Sequence, residues 1–194
     1  MTIAGHRYHD DTLPPALITL EELNLMKEAT LLGDADIAAL RRSGPILEPQ
    51  IEKILDLWYG FVGSKPFLLE HFSHAQTKVP IAEYMDRVRA RFGQWIRDTT
   101  AANFDEQWLR WQLEIGRRHH RTGKNETDGA TSTALILLRY LSLLAQPIVD
   151  TLRPFLEEGG DEPDKVGAMQ NAWRKAVSLQ ATLWSYPYVK EGDY

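Results

Sequence analysis

Apolar residues recur three and four positions apart in one segment after another, and this spacing restricts the chain to helices. Ile81, Tyr84, Val88, Phe92 and Trp95 share one helical face. Phe104, Trp108, Trp111, Ile115 and His119 do the same in the next segment, and Leu47, Ile51, Ile54, Trp58 and Phe61 in an earlier one. No segment alternates apolar and polar residues over a convincing length, and no Asn-Gly pair marks a hairpin. The expectation is an all-α fold of about eight helices.

Punctuating residues set the boundaries. Residues 1–18 read as an extended arm, in which Pro14-Pro15 disfavours helix. Thr19 and Glu22 form a capping box ahead of Leu23, Leu25 and Met26. Gly33 is expected to end that helix. Asp34 then caps a short helix through Ile37, Ala38 and Leu40, which Ser43-Gly44-Pro45 breaks. The next helix starts near Pro45, holds Pro49 in its first turn, and runs to Val62 before Gly63-Ser64. Pro66 opens a short helix through Phe72, and Ser73 to Pro80 is a polar loop. The helix from Ile81 ends near Asp98. Arg121 to Ala130 is a second polar loop. A long apolar helix then spans Thr131 to Phe155, with bends at Pro147 and Pro154. Val166 to Trp184 is the last long helix, and Pro187 starts the tail.

Composition excludes several function classes. A length of 194 residues suits one domain. Lys plus Arg number 22 against 27 Asp plus Glu, a net charge of −5, whereas nucleic-acid-binding domains are usually basic. The chain has no cysteine, which removes disulfides, thiolate nucleophiles, iron–sulfur clusters and Cys-based zinc sites together. No stretch reaches the run of about 20 apolar residues that a membrane span needs. Ala134 to Leu144 comes nearest and is interrupted by Arg139. Met1 to Asp11 carries His6, Arg7, His9 and Asp10 and has no apolar signal core. Asn125-Glu126-Thr127 matches the glycosylation triplet, which without a secretory signal reads as chance. A soluble cytoplasmic protein is expected, with neither nucleic acid nor membrane as partner.

The chemistry concentrates at Arg117-Arg118-His119-His120-Arg121, the end of an apolar helix. Histidines there can simply complement the helix dipole. Zinc is disfavoured, because no His-Glu-x-x-His occurs and adjacent histidines point about 100° apart on a helix. A single axial haem ligand needs only one imidazole at the end of an apolar face. His119 meets that need through Ile115, Trp111, Trp108 and Phe104. Spacing leaves His120 open as well, and an ordinary aromatic core satisfies it equally. Tyr59, beside Trp58, offers a hydroxyl within an apolar setting, or a core aromatic bonded to a backbone carbonyl. Phe92 is core by default. Arg87, Arg89, Arg91 and Arg97 read as a solvated face, from which a haem would draw a propionate partner. Glu48, Glu52, Asp56 and Glu114 read as exposed-face carboxylates. No paired-carboxylate site, phosphate loop, G-x-S-x-G or Ser-His-Asp pattern is present.

Several strings together resemble the protoglobin family, haem proteins akin to the sensor domains of globin-coupled sensors. They are Ile54 to Ser64 (with Trp58-Tyr59), Val88-Arg89-Ala90-Arg91-Phe92 with Trp95-Ile96, and Glu114 to Thr122. Leu138-Arg139-Tyr140-Leu141 and Leu179-Gln180 with Leu183 to Tyr188 complete the set. The resemblance covers about Leu20 to Tyr194 and implies a globin-like fold with an extra N-terminal helix and an extended arm. It divides the chain into an arm, 1–18, and a single globin domain, 19–194. It implies haem b with His119 as the iron ligand, and Trp58, Tyr59 and Phe92 on the gas side. Leu141, Leu144 and Ile148 would line the pocket, and Arg91 would pair with a propionate. It also implies a homodimer through the last two long helices and gas access by tunnels between helices. Leu144 stands where relatives carry Phe, which makes a roomier pocket. Ala130 to Ile136 lacks a Pro often found before the long helix. Ala145-Gln146 replaces more apolar residues.

The implied function is reversible binding of O2, CO or NO at a His-ligated iron, with no catalytic residues assigned. The alternatives are a haem enzyme acting on nitrite, NO or peroxide, or transferring carbenes, and a gas-sensing module with a separate partner. A haem-free helical interaction protein is the remaining class.

Overall fold

A computed structural model describes residues 3–190 and 192–194. Met1 and Thr2 of the expected arm, and Glu191 of the tail, lie outside them. Among the described residues there are eight α-helices and no strand. They are α1 (Leu20–Ala29), α2 (Asp34–Leu47), α3 (Ile51–Gly63), α4 (Pro66–Leu69), α5 (Ala82–Ala101), α6 (Glu106–His119), α7 (Leu138–Glu157) and α8 (Pro163–Trp184).

The caps follow local chemistry. Thr19 and Glu22 exchange side-chain-to-backbone hydrogen bonds, the capping box expected at α1. Asp105 caps α6 by accepting from the Trp108 N–H at 2.7 Å. α3 stops at Gly63, and Pro66 opens α4, as the spacing predicts.

Smaller shifts aside (α4 gives way to a 3-10 turn at Glu70–Phe72, α5 runs on to Ala101 and α8 starts at Pro163), three boundaries differ from expectation. Gly33 does not end α1. The left-handed residue after that helix is Leu31, with φ 56°, and Gly33 is the N-cap of α2, its N–H donating to Asp36. Ser43-Gly44-Pro45 does not break α2, which runs through it. Tertiary contacts outweigh the lost Pro45 N–H there. The Ser43 hydroxyl donates to the Leu40 carbonyl and accepts from Trp173 Nε1 at 2.9 Å. A Cβ on Gly44 would stand 3.3 Å from Thr100 Oγ1, so the bare backbone lets α2 lie close on α5. Pro49 consequently sits in a 3-10 turn, Glu48–Gln50, that joins α2 to α3.

The third difference is the start of α7, at Leu138 rather than Thr131. The polar groups of residues 131–136 bond elsewhere. The Thr131 carbonyl accepts from the Ala75 N–H, and the Ser132 and Thr133 carbonyls accept from Asn125. The Ile136 N–H donates to the His119 carbonyl at 2.8 Å. Such side-chain and loop bonds compete with helix. They tie the segment ahead of α7 to the end of α6.

α8 is the central element and packs on α7, α2 and α6. Trp173, fully buried, anchors it to α2. Trp95 of α5 donates from Nε1 to Gln180 of α8. At α6 the two backbones nearly touch. A Cβ on Gly116 would lie 2.8 Å from Trp184 Cα and 3.0 Å from its carbonyl oxygen. That approach, with Trp184 Nε1 donating to Gln112 at 2.9 Å, fixes the end of α6 against the end of α8.

Gly116→Ala is therefore expected to lower unfolding free energy by roughly 1–3 kcal/mol, because backbone must shift. Gly60→Ala, with open space at its Cβ, is expected to be neutral or to stabilise by roughly 0.5–1 kcal/mol. Urea denaturation midpoints of the two variants check the contrast.

Candidate functional site

α3, α5, α6, α7 and α8 enclose a mainly apolar cavity of about 220 Å3. By the same measure one water needs roughly 10–15 Å3, so this is room for a large ligand. All eight residues singled out in the sequence line it: Trp58, Tyr59, Arg91, Phe92, His119, Leu141, Leu144 and Ile148.

His119 is the last residue of α6. Its Nδ1 lies 2.8 Å from the Ile115 carbonyl oxygen. A carbonyl only accepts, so Nδ1 carries the proton and Nε2 keeps its lone pair. Burial pushes this imidazole down to about 4, and it is neutral at pH 7. The ring lies nearly parallel to Trp184, with centroids 5.4 Å apart and 13° between planes. Gly116 is what lets Trp184 come so close. His120, left open by spacing, points elsewhere: it meets Tyr188 edge-on and has no place in the cavity lining.

An aromatic wall forms from α3 and α5. Trp58 stacks on Phe92 with centroids 5.9 Å apart, and Phe92 stacks on Trp95 at 5.0 Å. Tyr59 meets Phe72 and Phe92 edge-on. Its hydroxyl makes no hydrogen bond among the described residues, so the alternative of a core tyrosine bonded to a backbone carbonyl does not apply. Burial raises its pKa well above the ordinary value, which keeps the hydroxyl a donor.

Arg91 lines the cavity, but its guanidinium is already engaged. It forms a two-pronged ion pair with Asp128, 2.5 Å at its shortest, and donates to the Ala4 carbonyl at 3.0 Å. The solvated-face reading of Arg91 is thus corrected. Glu114, read as an exposed carboxylate, is 5% exposed. Its burial raises the carboxyl pKa, and hydrogen bonds from Arg117 and Arg118 outweigh that and hold it below its ordinary value. Arg118 in turn donates to the Gly5 carbonyl at 2.6 Å and covers the Trp111 ring at 4.9 Å. Glu114 therefore steadies the arm at the cavity edge, where His6 also bonds Asp98 at 2.8 Å.

Sequence reasoning missed His71, Lys124 and the role of Trp184. His71 and Lys124 line the cavity at 4% exposure each. Lys124 lies in the loop after α6, and His71 in a single 3-10 turn, Glu70–Phe72, too short for a periodicity to mark an inward side chain. Two buried polar atoms among the lining residues have no partner, His71 Nε2 and Trp111 Nε1. No group of three His, Asp or Glu side chains among the described residues could hold a bare metal ion. No helix among them is long and apolar enough to cross a membrane.

An all-helical frame around an apolar cavity, with a neutral imidazole at a helix end, defines a globin-type protein. Among solved structures the chain is similar to the globin domain of the Geobacter sulfurreducens globin-coupled sensor. The TM-score is 0.66 at 16% identity, over 90% of this chain and 100% of that one, a likeness of fold. The chain belongs to the protoglobin family, whose profile matches residues 19–194. A search of the curated proteins finds no match. Globin membership implies haem binding and a gas-binding or gas-sensing role. The donor set fits that cofactor: one neutral imidazole with a free Nε2, an apolar enclosure, and unpartnered buried polar groups at its margin.

The Glu114 carboxyl is depressed, so its stabilisation is complete above its ordinary pKa of 4.5 and lost as pH falls through its folded value. Glu114→Gln is expected to be less stable than wild type at pH 7 by roughly 1.5–3 kcal/mol. The gap should close as the pH drops below 4.5. Urea midpoints across that range measure it, and a gap independent of pH would contradict the assignment.

Proposed function

We propose that this protein binds b-type haem through Nε2 of His119 and reversibly takes up a diatomic gas, O2, CO or NO. The observation that carries the reading is the 2.8 Å contact of His119 Nδ1 with the Ile115 carbonyl inside the cavity. It sets the tautomer that leaves Nε2 available and strengthens it as a ligand. Haem held there would supply an iron able to take up a diatomic gas.

The chain's own residues do the rest. Trp184 holds the His119 ring in plane by stacking, and Gly116 allows that stacking. Leu141, Leu144 and Ile148 from α7 give an apolar lining that excludes water. Trp58 and Phe92, stacked on each other, restrict the space open to a gas. Tyr59 is the hydroxyl donor available within the cavity, since nothing among the described residues takes its proton. The proposal includes a homodimer through α7 and α8, supported by the exposed Leu143 on α7. It includes a cytoplasmic location, with which a cysteine-free sequence is compatible.

The test is optical and kinetic. Haem-loaded protein, reduced with dithionite, should show a Soret band that shifts and sharpens on CO addition. O2 dissociation should be roughly tenfold faster in Tyr59→Phe, the effect of losing one hydrogen bond of about 1.4 kcal/mol. Absence of any Soret band after haem addition would overturn the reading. An unchanged O2 off-rate would remove the role of Tyr59.

A further inference from the structure

The cavity is lined by two arginines and a lysine, and both arginines are already neutralised. Arg91 is paired with Asp128, and Arg118 with Glu114. The lysine is Lys124. Its ammonium has no carboxylate partner among the described residues. It donates to the His71 carbonyl at 3.0 Å and lies over the Tyr84 ring at 5.5 Å. A lysine with 4% exposure and no counter-ion is a costly arrangement.

The residue that Lys124 touches carries the second, independent observation. His71 is also 4% exposed, and its Nδ1 lies 2.8 Å from Thr133 Oγ1. Its Nε2 is buried with no partner. A hydroxyl can donate as well as accept, and in the tautomer where Nδ1 accepts from Thr133, Nε2 carries a proton with nothing to receive it. An ammonium that faces no carboxylate and an imidazole nitrogen without a partner, linked through the His71 carbonyl, thus both line the cavity. A carboxylate satisfies both, by an ion pair and a hydrogen bond.

We propose that Lys124, assisted by Nε2 of His71, is the anchor for a haem carboxylate, rather than Arg91, whose charge Asp128 already takes. The inference rests on the haem reading above. The His71 backbone and Ser132 hold the subsite together, since the His71 carbonyl accepts from both Lys124 Nζ and Ser132 Oγ. Lys124 lies in the loop that leaves α6, five residues after His119, so the anchor and the proposed iron ligand are close in the chain.

The test compares haem b with its dimethyl ester, which has the same ring and iron and no carboxylate. Apoprotein is loaded with each, and porphyrin loss to an excess of an acceptor apoglobin is timed. Wild type should hold haem b longer than the ester. Lys124→Met should lose haem b roughly 10- to 100-fold faster, while loss of the ester stays unchanged. Lys124→Arg should restore most of the retention, and Arg91→Met should matter less than Lys124→Met. His71→Phe should give a smaller loss of the preference for the free acid. Equal acceleration for both porphyrins in Lys124→Met would mean a packing role and overturn the proposal, as would unchanged haem b loss. Wild type that takes up neither porphyrin would overturn the haem reading itself. Wild type that holds both equally would overturn only the anchor.

Discussion

The hydrogen bond from Nδ1 of His119 to the Ile115 carbonyl is the contact on which the site depends. It turns a histidine at a helix end into a neutral, oriented ligand inside an apolar cavity. Without a fixed tautomer, either nitrogen could face inward, and burial alone would not choose. The bond is local to α6, but the ring's plane is set from α8 through Trp184. Gly116 and the Gln112–Trp184 bond make that contact possible. Helix packing, rather than a loop, therefore holds the ligand.

The charges at the cavity margin are arranged with the same economy. Arg118 is clamped by Glu114 and closes over Trp111, while Arg91 is clamped by Asp128 and holds the arm at Ala4. These pairs bind the N-terminal arm to α5 and α6, and Tyr8 and Leu13 of the arm are buried beneath it. Lys124, which donates to a carbonyl and faces no carboxylate, stays outside this scheme, and His71 Nε2 and Trp111 Nε1 have no partner. Buried polar groups are normally satisfied, and these residues line the space a ligand would fill.

The helices were legible where one face is apolar and the caps are local, as in the Thr19 capping box and the α6 stripe that ends at His119. The site was legible for the same reason. Trp58, Phe92 and His119 sit on periodic faces that aim them inward, while Tyr59 was legible as the polar neighbour of Trp58. What spacing could not show were features made by contacts distant in sequence. α2 continues through Gly44-Pro45 because Thr100 and Trp173 await it. Residues 131–137 stay irregular because Asn125, Ala75 and His119 take their polar groups. Glu114 is buried because two arginines one turn on fold back over it. Lys124 lies in a loop and His71 in a one-turn 3-10 helix, and neither is long enough for a period to predict direction. The choice between His119 and His120 required a family resemblance, and the structure gives it a physical basis in the Ile115 carbonyl.

The most direct test of this account is the iron–histidine stretching band of the ferrous, haem-loaded protein by resonance Raman spectroscopy. The account predicts the band in wild type, its loss in His119→Gly, and its return when imidazole is added to that variant. A band that persists unchanged in His119→Gly would place the iron on another histidine and contradict the central claim.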